Sequence, residues 1–353
     1  MIRCTRCILP YTYPGIKFNE KGICNNCIEY KKRKKEDYRA LEIKLKRLFN
    51  HYKHKNRTYD CLIGISGGKD STYTLYFCKE ICKMNVLAVN FDNGFMSSQA
   101  LKNIQKIIDK LNVDYISYKP NWNLMKRLYS HFLLTIGDFC TPCAVGVKAT
   151  LFRIAKKEKI PLIVSGGSKY EVIPPEVAYH SQNTFKNVIH GKISVNEVNS
   201  FLYPLIYKRF IKYVNLSNYI YWNEEEILKT IRENLGWSEG SYTSVDHFDC
   251  TAHTISDYLW LQKWGFSRKT LKYSIMIREG EMSRETALRK IAIEESKKEP
   301  EEINSFLEKL NLTKEDIYKS KDRTNKNFMK SDTSEIVVLA KKFYAMASKI
   351  SKF

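Results

Sequence analysis

No stretch of this 353-residue chain reaches eighteen consecutive apolar residues, so no membrane span is expected. The opening Met1-Ile2-Arg3-Cys4 lacks the apolar core of a signal peptide, and a cytoplasmic location is expected. Internal repeats and extended low-complexity segments are also absent, which speaks against a repeat array or a disordered chain. Acidic residues are in short supply: 38 Asp and Glu stand against 59 Lys and Arg, a formal net charge of +21. That imbalance has two readings. One is an anionic partner, such as ATP, a nucleotide sugar, a nucleic acid or a membrane surface. The other is compositional drift in a chain rich in Lys, Ile, Asn and Tyr, and drift alone would not favour the bases so strongly. The lysines are spread along the chain, so no single nucleic-acid patch stands out. Length and a hydrophobic content of 43% allow two domains and a substantial core.

The most informative segment is Ser66-Gly67-Gly68-Lys69-Asp70-Ser71. The run from Tyr59 to Ile65 before it predicts a buried strand, and the run from Thr72 to Cys78 after it predicts a helix. A strand, a glycine-rich turn and a helix start make a phosphate cradle. Glycines let the backbone approach an anion, and the first helical N–H groups point at it. The plain alternative is a tight turn capped by Ser or Asp. Walker A spacing is missing, because position 63 is Ile and Lys69 is followed by Asp70. The segment resembles instead the SGGxDS signature of the PP-loop ATP pyrophosphatases. Members of that family split ATP between the α and β phosphates and use the AMP half to activate an oxygen. On that resemblance, Gly67 and Gly68, the hydroxyls of Ser66 and Ser71, and Lys69 would hold the departing pyrophosphate. Asp70 would either ligate Mg²⁺ or simply favour the helix start.

Beyond the loop, strands and helices alternate. Val86–Phe91 predicts a strand ending in Asp92-Asn93-Gly94, residues 98–111 a helix, and Val113–Tyr118 a third strand. Pro161–Val164 predicts a fourth, ending in Ser165-Gly166-Gly167-Ser168, and Phe201–Leu205 a fifth. Such alternation argues for an α/β fold with a parallel sheet covered on both faces. Ligands of such sheets bind outside the carboxyl ends of the strands. Asp92 would sit there near a ribose or a metal, and Gly166 and Gly167 would either approach the α-phosphate or form an ordinary turn. From about residue 223 the chain reads as mostly helical, over 224–235, 254–264, 283–295, 313–318 and 334–347, with Ser283 and Thr313 as N-caps. Residues 319–330 read as a polar loop. Arg268, Arg278 and Arg284 are either phosphate grips or surface and ion-pair arginines.

Ten cysteines in a cytoplasmic chain point to metal ligands or core residues rather than disulfides. Cys4-x2-Cys7 and Cys24-x2-Cys27 are two knuckles that could supply four thiolates to Zn²⁺. A module of this size buries too little apolar surface to fold alone, so metal would supply its stability. All four positions are filled by Cys, which reads as a structural site. A basic helix is expected over residues 29–55, with Tyr38, Leu41, Leu45, Leu48 and Phe49 on one stripe. Its Lys31–Lys35 run reads mainly as a solvated face. Cys140-x2-Cys143 precedes an apparent helix at 144–157, and Cys250 lies far downstream. These three could hold a zinc ion with a labile ligand. They also resemble the three ligands of a [4Fe–4S] cluster in PP-loop enzymes that thiolate tRNA. Otherwise they are a helix start and a buried small hydrophobe. His247 and His253 could assist a metal or serve as hydrogen-bonding structural residues, and Cys61, Cys78 and Cys82 read as core.

Four places narrow the resemblance: Arg3-Cys4-x-x-Cys7-Ile8-Leu9-Pro10, the loop, Phe248-Asp249-Cys250, and Lys263-Trp264-Gly265-Phe266-Ser267-Arg268-Lys269-Thr270. Together, over residues 1–290 or so, they resemble the N-acetyl sugar amidotransferases of bacterial surface-polysaccharide and flagellin-sugar pathways. That resemblance implies an N-acetylated nucleotide sugar as substrate, ATP and Mg²⁺, and conversion of an acetamido to an acetamidino group. It implies ammonia from a glutaminase partner similar to the two-subunit imidazole glycerol phosphate synthase, since no cysteine here sits in a nucleophile-elbow context. The divisions expected are a zinc ribbon at 1–30, a basic linker helix at 31–57, a PP-loop domain at 58–222 and a helical region at 223–353. A homodimer is compatible with the sequence. The competing readings are a tRNA-thiolating PP-loop enzyme and a non-catalytic zinc scaffold for a glutaminase complex. The intact Lys69 and Asp70 argue against the scaffold.

Overall fold

The computed structural model describes residues 1–32, 36–53, 56–168, 170, 207–241 and 247–318. Five parallel strands form one sheet: β1 (Cys61–Gly64), β2 (Val86–Phe91), β3 (Asp114–Tyr118), β4 (Leu162–Ser165) and β5 (Lys212–Asn215), in the order β3-β2-β1-β4-β5. The β1–β2 register sets Cys61 against Val86, and β4–β5 sets Leu162 against Lys212. Every residue of β2 is buried, as a strand covered on both faces requires. The order reverses at β1: β2 and β3 lie to one side, β4 and β5 to the other. In such sheets the crevice that takes ligands lies at that switch point, here outside the carboxyl ends of β1 and β4.

Helices cover both faces. On one side α3 (Lys69–Tyr76), continued by a π-helical turn at Phe77–Ile81, and α4 (Ser98–Leu111) bury Leu75, Ile104 and Ile107 with Val86 and Ala88. On the other, α6 (Cys140–Lys157) buries Leu151, Phe152 and Ala155 against Leu62, Leu87 and Ile163. Between α4 and α6 lie β3 and α5 (Trp122–Ile136). Ser97 caps α4 through Ala100 N (3.1 Å), and Asn112 ends it in the left-handed region at φ 44°.

The expected single basic helix is two. α1 (Asn25–Lys31) ends before Asp37, whose carboxylate accepts from Ala40 N and starts α2 (Tyr38–Tyr52). β5 lies later than the expected fifth strand, and residues 201–205 and 334–347 are outside the described residues. Helix α6 begins at Cys140 rather than 144, because Asp138 Oδ1 accepts from Cys140 N at 3.0 Å.

After β5 the described chain is helical: α7 (Glu224–Leu235), α8 (His253–Trp264), α9 (Lys269–Glu279), α10 (Arg284–Glu295) and α11 (Ile303–Lys309). Residues 314–318 add a turn of helix, started by Thr313, which exchanges hydrogen bonds with Asp316. The N-terminal segment packs on these helices. Leu9, Tyr13 and the four knuckle cysteines share a core with Trp260, Phe266 and Leu271. Arg3 forms a 2.7 Å ion pair with Glu295. No helix among the described residues is long and apolar enough to cross a membrane.

Candidate functional site

The loop after β1 turns on Gly67, which has φ +82°. A Cβ there would stand 2.4 Å from the carbonyl oxygen of Ala100, so only glycine fits. Within the loop, Ser71 Oγ accepts from Ser66 N and donates to Gly68 O (3.1 and 3.2 Å), and Ser66 Oγ lies 3.1 Å from Ser71 Oγ. These contacts hold Gly68 as the residue before α3, so the first turn of α3 faces the crevice. Lys69 is almost wholly buried, with its Nζ 2.8 Å from Asp70 Oδ2 and 3.7 Å from Glu224 Oε1.

Residues from the distant C-terminal half complete the loop. Trp222 Nε1 donates to Asp70 Oδ1 (3.1 Å), and Trp237 Nε1 donates to Gly67 O (2.8 Å), which Asn103 Nδ2 also meets (3.3 Å). Lys272 of α9 donates to both oxygens of Glu224, at 2.9 and 3.1 Å. Asp249 reaches the loop as well: a Cβ at Gly68 would lie 3.2 Å from its Oδ2. None of these was among the expected site residues. Two of them carried a signal: Asp249 lies in the Phe248-Asp249-Cys250 segment, and Glu224 is an acid at the first helical position after the cap Asn223.

The other expected loop residues take different places. Asp92 Oδ1 accepts from Gly94 N at 2.9 Å and shapes the turn after β2. Gly167 exchanges hydrogen bonds with the Asn215 amide (3.1 and 3.2 Å), and its carbonyl accepts from Ser217 Oγ at 2.6 Å. Gly166 abuts α3, where a Cβ would meet Thr74 Oγ1 at 1.8 Å and Asp70 O at 2.5 Å. Because one of those partners is backbone, Gly166→Ala should push the β4 end away from the loop. We expect a loss of about 1–3 kcal/mol in denaturant unfolding, with ATP binding weakened in parallel. A wild-type denaturation midpoint would show that the crevice tolerates the methyl group.

Apart from Cys61, Cys78 and Cys82, the cysteines form two groups, one against the C-terminal helices and one nearer the loop. Cys4, Cys7, Cys24 and Cys27 are buried, with all four Sγ atoms within 4.8 Å of one another. Cys7 and Cys24 Sγ are 3.8 Å apart, and Cys7 N and Cys24 N donate to Cys4 Sγ at 3.4 and 3.2 Å. A tetrahedral ion with metal–sulfur bonds of about 2.3 Å would set its sulfurs ~3.8 Å apart, so the donor set fits a metal ion. The thiols cannot ionise independently. Hydrogen bonds, first with Cys24, pull Cys4 down, whereas Cys27 is pushed up, first by its hydrogen bond with Cys24. Arg284 of α10 clasps the knuckles from outside, donating to Cys7 O (3.0 Å) and Cys4 O (3.2 Å). That engagement explains Arg284 without a phosphate.

Cys140, Cys143 and Cys250 gather nearer the loop. Asn93 Nδ2 points at Cys143 Sγ (3.6 Å) and Cys250 Sγ (3.5 Å), and Arg268 Nη1 at Cys140 Sγ (3.5 Å). Residue 250 bridges to Met96 just past β2, which carries its neighbour Asp249 to Gly68. Burial pushes all three thiols up, Cys143 to about 12. They are not as tightly grouped as the first four. His247 and His253 stack at 4.0 Å, and His253 Nδ1 lies 3.3 Å from Asp257.

A parallel sheet with a serine- and glycine-lined loop at its switch point defines an α/β protein of the PP-loop superfamily, with a helical C-terminal region and a cysteine cluster at the N-terminus. Family models agree. Residues 42–173 match the NAD synthase model, and residues 207–344 match the model described as LPS biosynthesis protein WbpG-like, C-terminal domain. The chain thus joins an NAD synthase-like PP-loop region to a WbpG-like C-terminal domain, a domain of LPS biosynthesis proteins. Among curated proteins it is similar to the uncharacterized protein MJ1599 of Methanocaldococcus jannaschii, 24% identical over 88% of this chain and 99% of that one. Among solved structures it is similar to an NH3-dependent NAD synthetase from Campylobacter jejuni, at 15% identity and TM-score 0.36 over 75% of this chain and 99% of that one. The U34-tRNA thiolase NcsA from Methanococcus maripaludis, with its [4Fe-4S] cluster, is similar at 16% identity and TM-score 0.35 over 83% of this chain and 88% of that one.

Proposed function

We propose that the protein is an ATP-dependent amidotransferase that converts the acetamido group of an N-acetylated nucleotide sugar into an acetamidino group. The observation that carries this reading is the make-up of the crevice. Asp249, Glu224 and Lys272 all stand around the Ser66–Ser71 loop, and all three fall within the part of the chain that matches the WbpG-like domain. Phosphate-binding and substrate-binding halves therefore share one site.

The chemistry follows from what an amide lacks. Its carbon is a poor electrophile and its oxygen a poor leaving group. The amide oxygen attacks the α-phosphorus of ATP, the bond to the bridging oxygen breaks, and pyrophosphate leaves. Ammonia then adds to the imidate carbon, loses a proton, and expels AMP to leave the amidine. Lys69, the Ser66 and Ser71 hydroxyls and the Gly67 and Gly68 backbone hold the pyrophosphate, opposing the charge that builds as it departs. Asp70 supplies a carboxylate for Mg²⁺, which when bound neutralises polyphosphate charge. Asp92, Gly166 and Gly167 shape the floor beneath the nucleotide. We assign Cys4, Cys7, Cys24 and Cys27 to a structural Zn²⁺, with residues 1–30 as its module, 58–222 as the ATP-binding domain and 223–353 as the helical domain. Ammonia comes from a glutaminase partner, and the reaction belongs in the cytoplasm, where nucleotide sugars are made.

The test is AMP release across a panel of acetamido nucleotide sugars, with and without ammonium. AMP formed only when sugar and ammonium are both present is expected. Its absence across the panel would sink the proposal.

The three remaining cysteines favour a second reading. Donors from Asn93 and Arg268 aim at their sulfurs beside the loop, an arrangement compatible with three ligands of a [4Fe–4S] cluster, whose iron would draw down thiols that burial otherwise raises. A cluster there points to a PP-loop enzyme that thiolates tRNA. That reading requires iron after anaerobic purification and salt-sensitive tRNA binding. A colourless protein indifferent to tRNA removes it.

A further inference from the structure

Glu224 Oε1 is shared by two ammonium groups from opposite halves of the chain, Lys69 of α3 at 3.7 Å and Lys272 of α9 at 2.9 Å. Lys272 is therefore held beside the phosphate loop, with its side chain only 15% exposed. Its ammonium donates to both Glu224 oxygens, at 2.9 and 3.1 Å, so the same carboxylate that lies near Lys69 fixes Lys272 beside the loop. Lys69, Lys272, Asp70 and Glu224 thus form one continuous run of ion pairs at the loop. A Mg²⁺-polyphosphate entering it would engage Asp70 through the metal and draw the two ammonium groups onto its oxygens. Helix α9 is placed for this at its other end too. Tyr170, just past Gly166-Gly167, is buried and directs its hydroxyl to Glu279 (3.5 Å) and Glu281. The helix thus spans both loops that line the crevice.

We infer that Lys272 is a second phosphate-binding cation of the loop, contributed by the C-terminal helices. This inference rests on the reading of Ser66–Ser71 as an ATP site. Its role is to contact the β and γ phosphates and so tie nucleotide binding to the position of α9.

Calorimetric titration of the full-length protein with Mg²⁺-ATP, with pyrophosphate and with AMP tests it. Lys272→Met should weaken ATP and pyrophosphate about ten- to hundredfold, as loss of one charge-assisted contact does. AMP binding should be unchanged, because AMP lacks the phosphates involved. Lys272→Gln keeps a donor for Glu224, and so the local packing, and should show the same loss. Lys272→Arg should bind ATP nearly as the parent does. The double variant K272M/E224Q separates contact from charge balance. It stays weak if Lys272 touches phosphate. Recovery of parental affinity would mean that Lys272 only neutralises Glu224, and the inference falls. Parental ATP affinity in both Lys272→Met and Lys272→Gln would overturn it as well. Lys69→Met distinguishes the deeper failure: if it too binds ATP as the parent does, the loop is not the phosphate site at all.

Discussion

Lys69→Met should lower AMP formation by about 10²–10³-fold while leaving the fold in place. That is the usual consequence of removing one preorganised charge from a developing anion. The expectation is stronger here than for a surface lysine. Lys69 is 4% exposed and already lies against Asp70, so its ammonium has little freedom to lose when phosphate arrives. Methionine preserves the apolar stem. The carboxylates left behind keep other partners, Trp222 for Asp70 and Lys272 for Glu224, which limits the structural damage. Single-turnover AMP release beside a thermal denaturation curve is the measurement. A variant that unfolds near the parental midpoint and still releases AMP within a few fold of the parent would remove Lys69 from the phosphate site.

Metal removal should have the second large effect. The four knuckle thiols share one buried pocket and push each other's ionisation in opposite directions. A divalent ion reverses that conflict by holding every sulfur as thiolate. Binding of this kind contributes on the order of 10–16 kcal/mol of apparent free energy in small zinc modules. Cys24→Ser, or prolonged chelation, should therefore release residues 1–30 from α8, α9 and α10. Elemental analysis should give one zinc per chain. Proteolysis should become fast between residues 1 and 30, and Trp260 fluorescence should shift as Phe266 and Leu271 lose their cover. Metal-free protein whose N-terminal segment stays protease-resistant would contradict the assignment.

What could be read in advance depended on how far apart the interacting residues lie. The loop, the four knuckle cysteines and strands β1 to β4 announce themselves through neighbours a few residues away. Contacts that complete the site do not. Trp237 meets Gly67 across 170 residues, and Arg284 meets Cys7 across 277. No periodicity encodes such pairs. Strand β5 was missed for a different reason. Lys212-Tyr213-Val214-Asn215 is short and half exposed at the sheet edge, so the more apolar residues 201–205 read better. Helix α5 had its signal, since Asn121 Oδ1 accepts from Leu124 N at 3.0 Å, but its mixed composition obscured the start. The single linker helix was split by Asp37, a strong capping residue inside an otherwise periodic run.

The ion pair between Arg3 and Glu295 sets an order of events during synthesis. The sheet can assemble as soon as β5 has left the ribosome, but the N-terminal knuckles have no complete docking surface until α8, α9 and α10 have all emerged, some eighty residues later. At ordinary elongation rates of about 5–20 residues per second, that leaves them undocked for several seconds at least. During that interval their thiols lack the cover of Trp260, Phe266 and Leu271, so early capture of the metal would protect them from oxidation before their final partners exist.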